Sequence, residues 1–216
     1  MDPALALARS LARVVGDERI ARAIATVPRE LFVPESERDR AYEDAALPIG
    51  CGQTISQPLV VARMLELLAP GPEDRVLDVG TGSGWHAALL GRLAGEVWSI
   101  ERHAQLSERA ARAIAQLGID NVHCVVGDGS QGLPERAPFD AINVAAACGP
   151  SLPPALVEQL APGGRLVAPV GSAERQRLVL ARRRGRGLCL QRLDPVRFVP
   201  LVRGHGEAAR RPAGGG

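Results

Sequence analysis

The stretch Arg75 to Trp85, RVLDVGTGSGW, holds the residues best placed for ligand chemistry. A short apolar run (Val76, Leu77, Val79) leads into three glycines, Gly80, Gly82 and Gly84, and a helical pattern starts directly after them. Glycine adopts positive φ without strain and lets backbone approach a ligand closely. The helix start then presents unpaired N–H groups to that ligand. Strand, glycine turn and helix in this order open a nucleotide-type crevice in an α/β sheet. Two details narrow the ligand. A dinucleotide turn needs GxGxxG, whereas Trp85 stands where the last glycine of that pattern would fall. Asp78 also sits two residues before Gly80. A carboxylate there repels a pyrophosphate and suits a ligand carrying an ammonium and a sulfonium. S-adenosylmethionine is therefore favoured over a nicotinamide dinucleotide.

Glu101 supplies a second signal. It ends the apolar run Val97 to Ile100, about 20 residues after the glycine turn, where an acid can hold ribose hydroxyls. Asp128, between Gly127 and Gly129 after another apolar run, can accept from an adenine amino group or simply make a turn. The heptapeptide Gly52 to Pro58, GQTISQP, adds Thr54 and Ser56. On spacing alone, Ser56 or Gln57 reads as a helix cap with Pro58 in the first turn.

The elements that must carry these residues alternate. Two N-terminal helices are expected: one capped by Asp2 with Pro3 in its first turn, the other carrying Ile20, Ile24 and Val27 and stopped by Pro28. An irregular course follows from Pro28 to Pro58, then a helix with Val61, Met64, Leu65 and Leu68 at i, i+3, i+4, i+7. After Pro70-Gly71-Pro72 come strands at 76–79, 97–100, 122–126, 141–144 and 165–170 with helices between. The last three expected strands, 177–181, 188–192 and 196–202, have no helix between them, which implies an antiparallel finish. The expected class is α/β, a Rossmann-like mostly parallel sheet with an antiparallel C-terminal edge and an N-terminal helical addition. Residues 1–203 read as one domain, with 1–70 as the addition and 204–216 as a disordered tail.

Composition excludes little and permits a simple reading. The 216 residues are 46% hydrophobic with net charge +2, giving no strong pull toward nucleic acid or membrane. All 26 basic residues are arginine, which with the abundant alanine and glycine reflects genome base composition. The run Arg182, Arg183, Arg184 and Arg186 reads as a solvated hairpin loop before an RNA patch. Cys51, Cys124, Cys148 and Cys189 show neither zinc spacing nor a disulfide framework, so no metal is expected. Arg9 and Arg13 interrupt the N-terminal apolar residues, and no run reaches membrane-span length. A cytoplasmic, reduced, monomeric protein is expected.

Four stretches together resemble the protein-L-isoaspartate O-methyltransferases: VPRELFVPE (27–35), YEDAALPIGCGQTISQP (42–58), VLDVGTGSGWHAALL (76–90), and LAPGGRLVAPVG (160–171) with VRFVPL (196–201). The resemblance implies a class I S-adenosylmethionine-dependent methyltransferase that methylates the free α-carboxylate of L-isoaspartyl residues. It implies Ser56 as the active-site residue, which overturns capping as its sole role. It also implies Thr54 and Ile55 against the cofactor, Gly80 and Gly82 at the methionine end, Glu101 on the ribose, and Asp128 with Gly129 at the adenine. VRFVPL would help form the peptide cleft. The expected partners are isoaspartyl proteins and peptides. Cys51, Asn143 and Cys148-Gly149 depart from the family pattern, bearing on peptide preference more than on cofactor binding. His86 is expected to be structural. Methylation of a dedicated precursor peptide to form an aspartimide is the alternative, less favoured because the chain stops soon after VRFVPL. An RNA-binding module and a nicotinamide dehydrogenase stand further back.

Overall fold

The computed structural model describes residues 2–185 and 187–204. Two capped helices begin it. In α1 (Pro3–Leu11) the Asp2 carboxylate accepts from the Ala4 N–H at 2.8 Å. In α2 (Glu18–Thr26) the Asp17 carboxylate accepts from Arg19 N–H at 2.9 Å. Each such cap is worth about 1 kcal/mol. Two segments expected to be irregular are ordered. Arg29–Phe32 and Glu35–Arg40 form 3₁₀ turns, the tight form that short proline-bounded segments adopt. Leu47–Gly50 and Gln53–Ile55 form a small antiparallel hairpin, β1 and β2, because Gly50, Cys51 and Gly52 all take positive φ and reverse the chain.

Helix α3 (Pro58–Leu68) follows. Neither Ser56 nor Gln57 caps it through a side chain. Pro58 has no N–H, and the Leu59 N–H is taken at 2.9 Å by the Asp44 carboxylate from outside the helix.

The main sheet has seven strands: β3 (Arg75–Val79), β4 (Glu96–Glu101), β5 (Val122–Val126), β6 (Phe139–Val144), β7 (Leu160–Gly171), β8 (Gln176–Arg184) and β9 (Gly187–Val196). Their order is β5-β4-β3-β6-β7-β8-β9, parallel from β5 to β7 and antiparallel from β7 to β9. Helices α4 (Trp85–Leu93), α5 (Ala104–Gln116) and the short α6 (Pro154–Glu158) complete the α/β alternation. The apolar core divides between the sheet's faces: Val76 and Val97 belong to the part containing α1 to α4, Leu77 and Val79 to the part containing Phe139 and Leu156.

Two expectations at the C-terminal edge are corrected. Arg182, Arg183 and Arg184 lie within β8 in register with β9, so they are not a loop, and Arg186 falls outside the described residues. Residues 197–202 are not a strand. Beyond β9 the chain leaves the ladder and passes over Ala147, whose N–H donates to Val199 O and whose O accepts from Leu201 N–H, both at 2.8 Å. Pro200 has no N–H with which to extend a ladder. Most of the expected disordered tail, 205–216, lies outside the described residues; Gly204 lies within them, its N–H on the Asp128 carboxylate at 2.7 Å.

Candidate active site

The chain steps outward from β3 to β4 and β5, then returns to β6 on the other side of β3. Ligands bind at the C-terminal ends of strands where the order reverses in this way. The loops after β3 and β6 face each other there: a methyl group placed on Gly80 would lie 3.7 Å from Ala145. Gly80, at φ 89°, turns its N–H back onto Ile100 O at 2.9 Å. Gly84, at φ 91°, could not carry a side chain, since its Cβ would fall 2.7 Å from Ala110 Cβ. The loop thus stays thin, and the cavity opens beside it.

Glu101 lines this cavity and is 5% exposed. Its Oε2 accepts from Gly82 N–H at 2.9 Å and its Oε1 from His103 N–H at 3.0 Å. Each carboxylate oxygen has a second lone pair. The acid is therefore fixed by backbone and can still accept from a vicinal diol.

Beneath the loop runs a polar row set by sheet register. Asp78 on β3 is paired with Ser99 on β4 and Asn143 on β6. Ser99 Oγ donates to Asp78 Oδ2 at 2.6 Å, and Asn143 Nδ2 donates to Asp78 Oδ1 at 2.7 Å. Having spent its one proton, Ser99 must accept from Thr81 Oγ1, 2.6 Å away. Asn143 Nδ2 also lies 3.3 Å from His86 Nδ1. Burial lifts the Asp78 carboxyl from 3.8 to about 6, against the bonds from Ser99 and Asn143, and the charge of Glu101 adds to the rise. Burial lowers His86 to about 3, so its ring is neutral.

The hairpin β1–β2 and the residue after it bring Thr54, Ile55 and Ser56 to the same cavity. Ser56 and Thr54 line both the cavity and a second cleft bounded by Pro195, Val196, Arg197 and Phe198. Arg29, 0% exposed, holds this segment from within. Its Nη2 donates to Ser56 O at 2.9 Å and Ala45 O at 3.0 Å, and its Nη1 donates to Ala41 O. Its guanidinium lies 5.4 Å from the centroid of Trp85, whose indole N–H donates to Val27 O at 3.1 Å. Burial lowers Arg29 to about 10, which leaves it charged at neutral pH.

The family description protein-L-isoaspartate(D-aspartate) O-methyltransferase matches residues 4–206. This chain belongs to that family. It is 52% identical over 199 residues to a protein-L-isoaspartate O-methyltransferase of Koribacter versatilis (strain Ellin345), covering 92% of this chain and 89% of that one. It is 53% identical to another from Roseiflexus sp. (strain RS-1), with 92% and 91% covered. Among solved structures, a protein-L-isoaspartate O-methyltransferase superposes with TM-score 0.82 at 32% identity, covering 90% of this chain and 64% of the other. A Plasmodium falciparum structure ascribed to the same group, in complex with S-adenosyl-L-homocysteine, gives 0.81 at 27%, with 92% and 98% covered.

Within this family member, Thr54, Ile55, Ser56, Gly80, Gly82, Glu101 and Gly129 lie together on the cavity wall. Asp78 does not. It is fully buried behind the loop with both oxygens accepting from neighbours, so direct pairing with a cationic ligand is not what its surroundings provide. Asp128 is also off the wall. Its carboxylate accepts from Ser130 N–H at 2.9 Å and Ser130 Oγ at 2.7 Å, capping the 3₁₀ turn that places Gly129. Arg29, Thr81 and Ser99 had no place in the sequence reading. The only local sign for Arg29 was a lone cation in the proline-bounded run VPRELFVP. Among the described residues no group of His, Cys, Asp or Glu side chains is arranged to hold a metal.

Proposed function

We propose that this chain transfers a methyl group from S-adenosyl-L-methionine to the free α-carboxylate of L-isoaspartyl residues in damaged proteins and peptides. The observation that carries the reading is the position of Ser56 on the shared border of two hollows, one walled by the glycine loop and Glu101, the other by Arg197 and Phe198. Family membership and the names borne by relatives at 52% and 53% identity support it. They also favour it over the precursor-peptide alternative.

The cavity fits the cofactor. Glu101 retains acceptor capacity for ribose hydroxyls, and the side-chain-free loop at Gly80 and Gly82 gives room at the methionine end. Thr54 and Ile55, on the same wall, would lie along it, and Gly129, set by the Asp128 cap, would meet the adenine. When bound, S-adenosyl-L-methionine supplies an electrophilic methyl group on a sulfonium. The protein's task is then alignment. A peptide α-carboxyl ionises with pKa about 3.3–3.7 and is already an anion at neutral pH, so no general base is needed. The Ser56 hydroxyl donates to that carboxylate and orients it, and such positioning can supply several kcal/mol. The methyl ester recloses to a succinimide more readily than the free acid, because methoxide leaves better than hydroxide. Hydrolysis of that ring returns part of the damage to normal aspartate, which is repair by recycling.

The same reading has one methyltransferase domain working as a monomer in the cytoplasm on protein and peptide substrates, with no nucleic-acid or membrane partner. Among the described residues no helix is long and apolar enough to cross a membrane. The test is labelled methyl transfer to two peptides identical except for a normal or an isoaspartyl linkage. Transfer confined to the isoaspartyl peptide is expected. Transfer to neither, with S-adenosyl-L-homocysteine still bound, would return the dedicated precursor peptide to the front.

A further inference from the structure

We propose that the Ser56 cleft continues into a basic groove that selects isoaspartyl substrates with acidic residues flanking the damaged one on one side. The proposal rests on the isoaspartyl reading of that cleft. Pro195 and Val196, on one wall of the Ser56 cleft, also wall a neighbouring hollow lined by Arg175, Arg177 and Arg192. Arg197 extends the same charge into the cleft itself. The two hollows therefore adjoin at Pro195 and Val196, at the end of β9 beside the β7–β8 turn.

The charge around these hollows is unbalanced and free to act. Arg175, Arg177, Arg192 and Arg197 are all exposed, and none makes a salt bridge to a described residue. The acid beside them in sequence, Asp194, is already paired with Arg63 at 3.2 Å. Glu174 is the single acid on the hollow's wall, so four guanidinium groups meet one carboxylate. Arg177 is also held in place, its Nη1 donating to Leu193 O at 2.8 Å.

A peptide presenting its carboxylate to Ser56 must run its flanks out along the cleft. An extended chain advances about 3.3 Å per residue, so the side chains that reach the arginines lie a few positions from the modified residue. Glutamate or aspartate there meets exposed cations; lysine meets repulsion. Attraction of this kind is screened by salt.

The experiment compares kcat/KM of the full-length enzyme on isoaspartyl peptides in which positions two to four on one flank are all Glu, all Gln or all Lys, each flank in turn. A Glu-to-Lys ratio of about ten on one flank is expected at low salt, the sum of two or three exposed ion pairs. It should shrink toward one in 0.5 M NaCl (roughly a 4 Å screening length). In the Arg175→Gln/Arg192→Gln enzyme, whose altered side chains hold no other part of the fold, the ratio should also fall toward one. Arg177→Gln is the independent second variant. Equal rates on Glu and Lys peptides for both flanks would overturn the proposal, as would a ratio that neither salt nor these variants change. No transfer even to the Gln peptides would overturn the isoaspartyl reading itself, and this proposal with it.

Discussion

Arg29 donates from Nη2 to the carbonyl of Ser56 at 2.9 Å while wholly enclosed by the protein. The cation sits against the Trp85 ring at the head of α4 and ties three carbonyls, those of residues 41, 45 and 56, to one rigid fork. A carbonyl left unpaired in such a place costs on the order of 1–3 kcal/mol. The loop carrying Ser56 is thus held from below by a group that never meets the substrate. Arg29→Lys should keep a charge and lose the fork. The expected result is a lower Tm together with a kcat loss of about tenfold or more, S-adenosyl-L-homocysteine affinity staying within about twofold. A variant that loses Tm but keeps kcat per folded molecule would confine Arg29 to stability.

Ser56 itself offers a cleaner cut. Its hydroxyl makes no hydrogen bond to any described residue and does not cap α3, so its removal costs the fold little. Ser56→Ala should lower kcat by about 100- to 1,000-fold, the worth of one well-placed donor, with cofactor binding nearly intact. Wild-type turnover by that variant would remove Ser56 from the mechanism.

Glu101 separates cofactor binding from chemistry in the opposite sense. Glu101→Gln places an N–H₂ where one oxygen now accepts from the Gly82 or His103 N–H, so two donors face each other. Losing a charged hydrogen bond costs about 1.5–3 kcal/mol. Calorimetric titration with S-adenosyl-L-homocysteine should show affinity reduced by about 10- to 100-fold, and saturating cofactor should restore most of kcat.

Cys51 at the β1–β2 turn has φ 52° between Gly50 at 92° and Gly52 at 67°. A side chain in the left-handed region is strained by about 1–2 kcal/mol, less for asparagine. Because Cys51 is exposed, Cys51→Asn should raise stability by about 0.5–1 kcal/mol. Urea unfolding checks it, and an unchanged or lower midpoint would refute the strain.

What the sequence discloses and what it hides divide along chain distance. The glycine loop and Glu101 are legible because strand, turn, helix and acid follow one another within thirty residues at fixed spacing. The sheet's parallel run is legible from the same alternation. Arg29 is not, because its partners lie 12, 16 and 27 residues away and have no side-chain signature. Asn143 reaches Asp78 across 65 residues, and only strand register makes them neighbours. The β1–β2 hairpin escaped for a different reason: its strands are only four and three residues long, too short for an alternating pattern to show beside the glycines of the turn.

Asn143, set beside Asp78 by that register, also lies 3.3 Å from His86 of α4, and the acid and the imidazole work against each other. Between pH about 4 and 6 the folded chain keeps on Asp78 a proton that the unfolded chain has lost, because burial raises the group from 3.8 to about 6. Its contribution to stability therefore declines as pH rises through that window. His86, lowered from 6.5 to about 3, behaves oppositely: the unfolded chain holds the proton, and stability grows as pH rises from about 3 to 6.5. Where the windows overlap, folding exchanges one bound proton for another and the two slopes cancel. Asp78→Asn should leave the His86 slope exposed, so that this variant, relative to wild type, gains stability from pH 4 to 6. His86→Leu should expose the Asp78 slope and lose stability relative to wild type over the same range. Each slope approaches about 1.4 kcal/mol per pH unit at most. Urea midpoints of the three proteins at pH 4, 5 and 6 decide it, since slopes of one sign in both variants would mean that the row beneath the glycine loop is not balanced in this way.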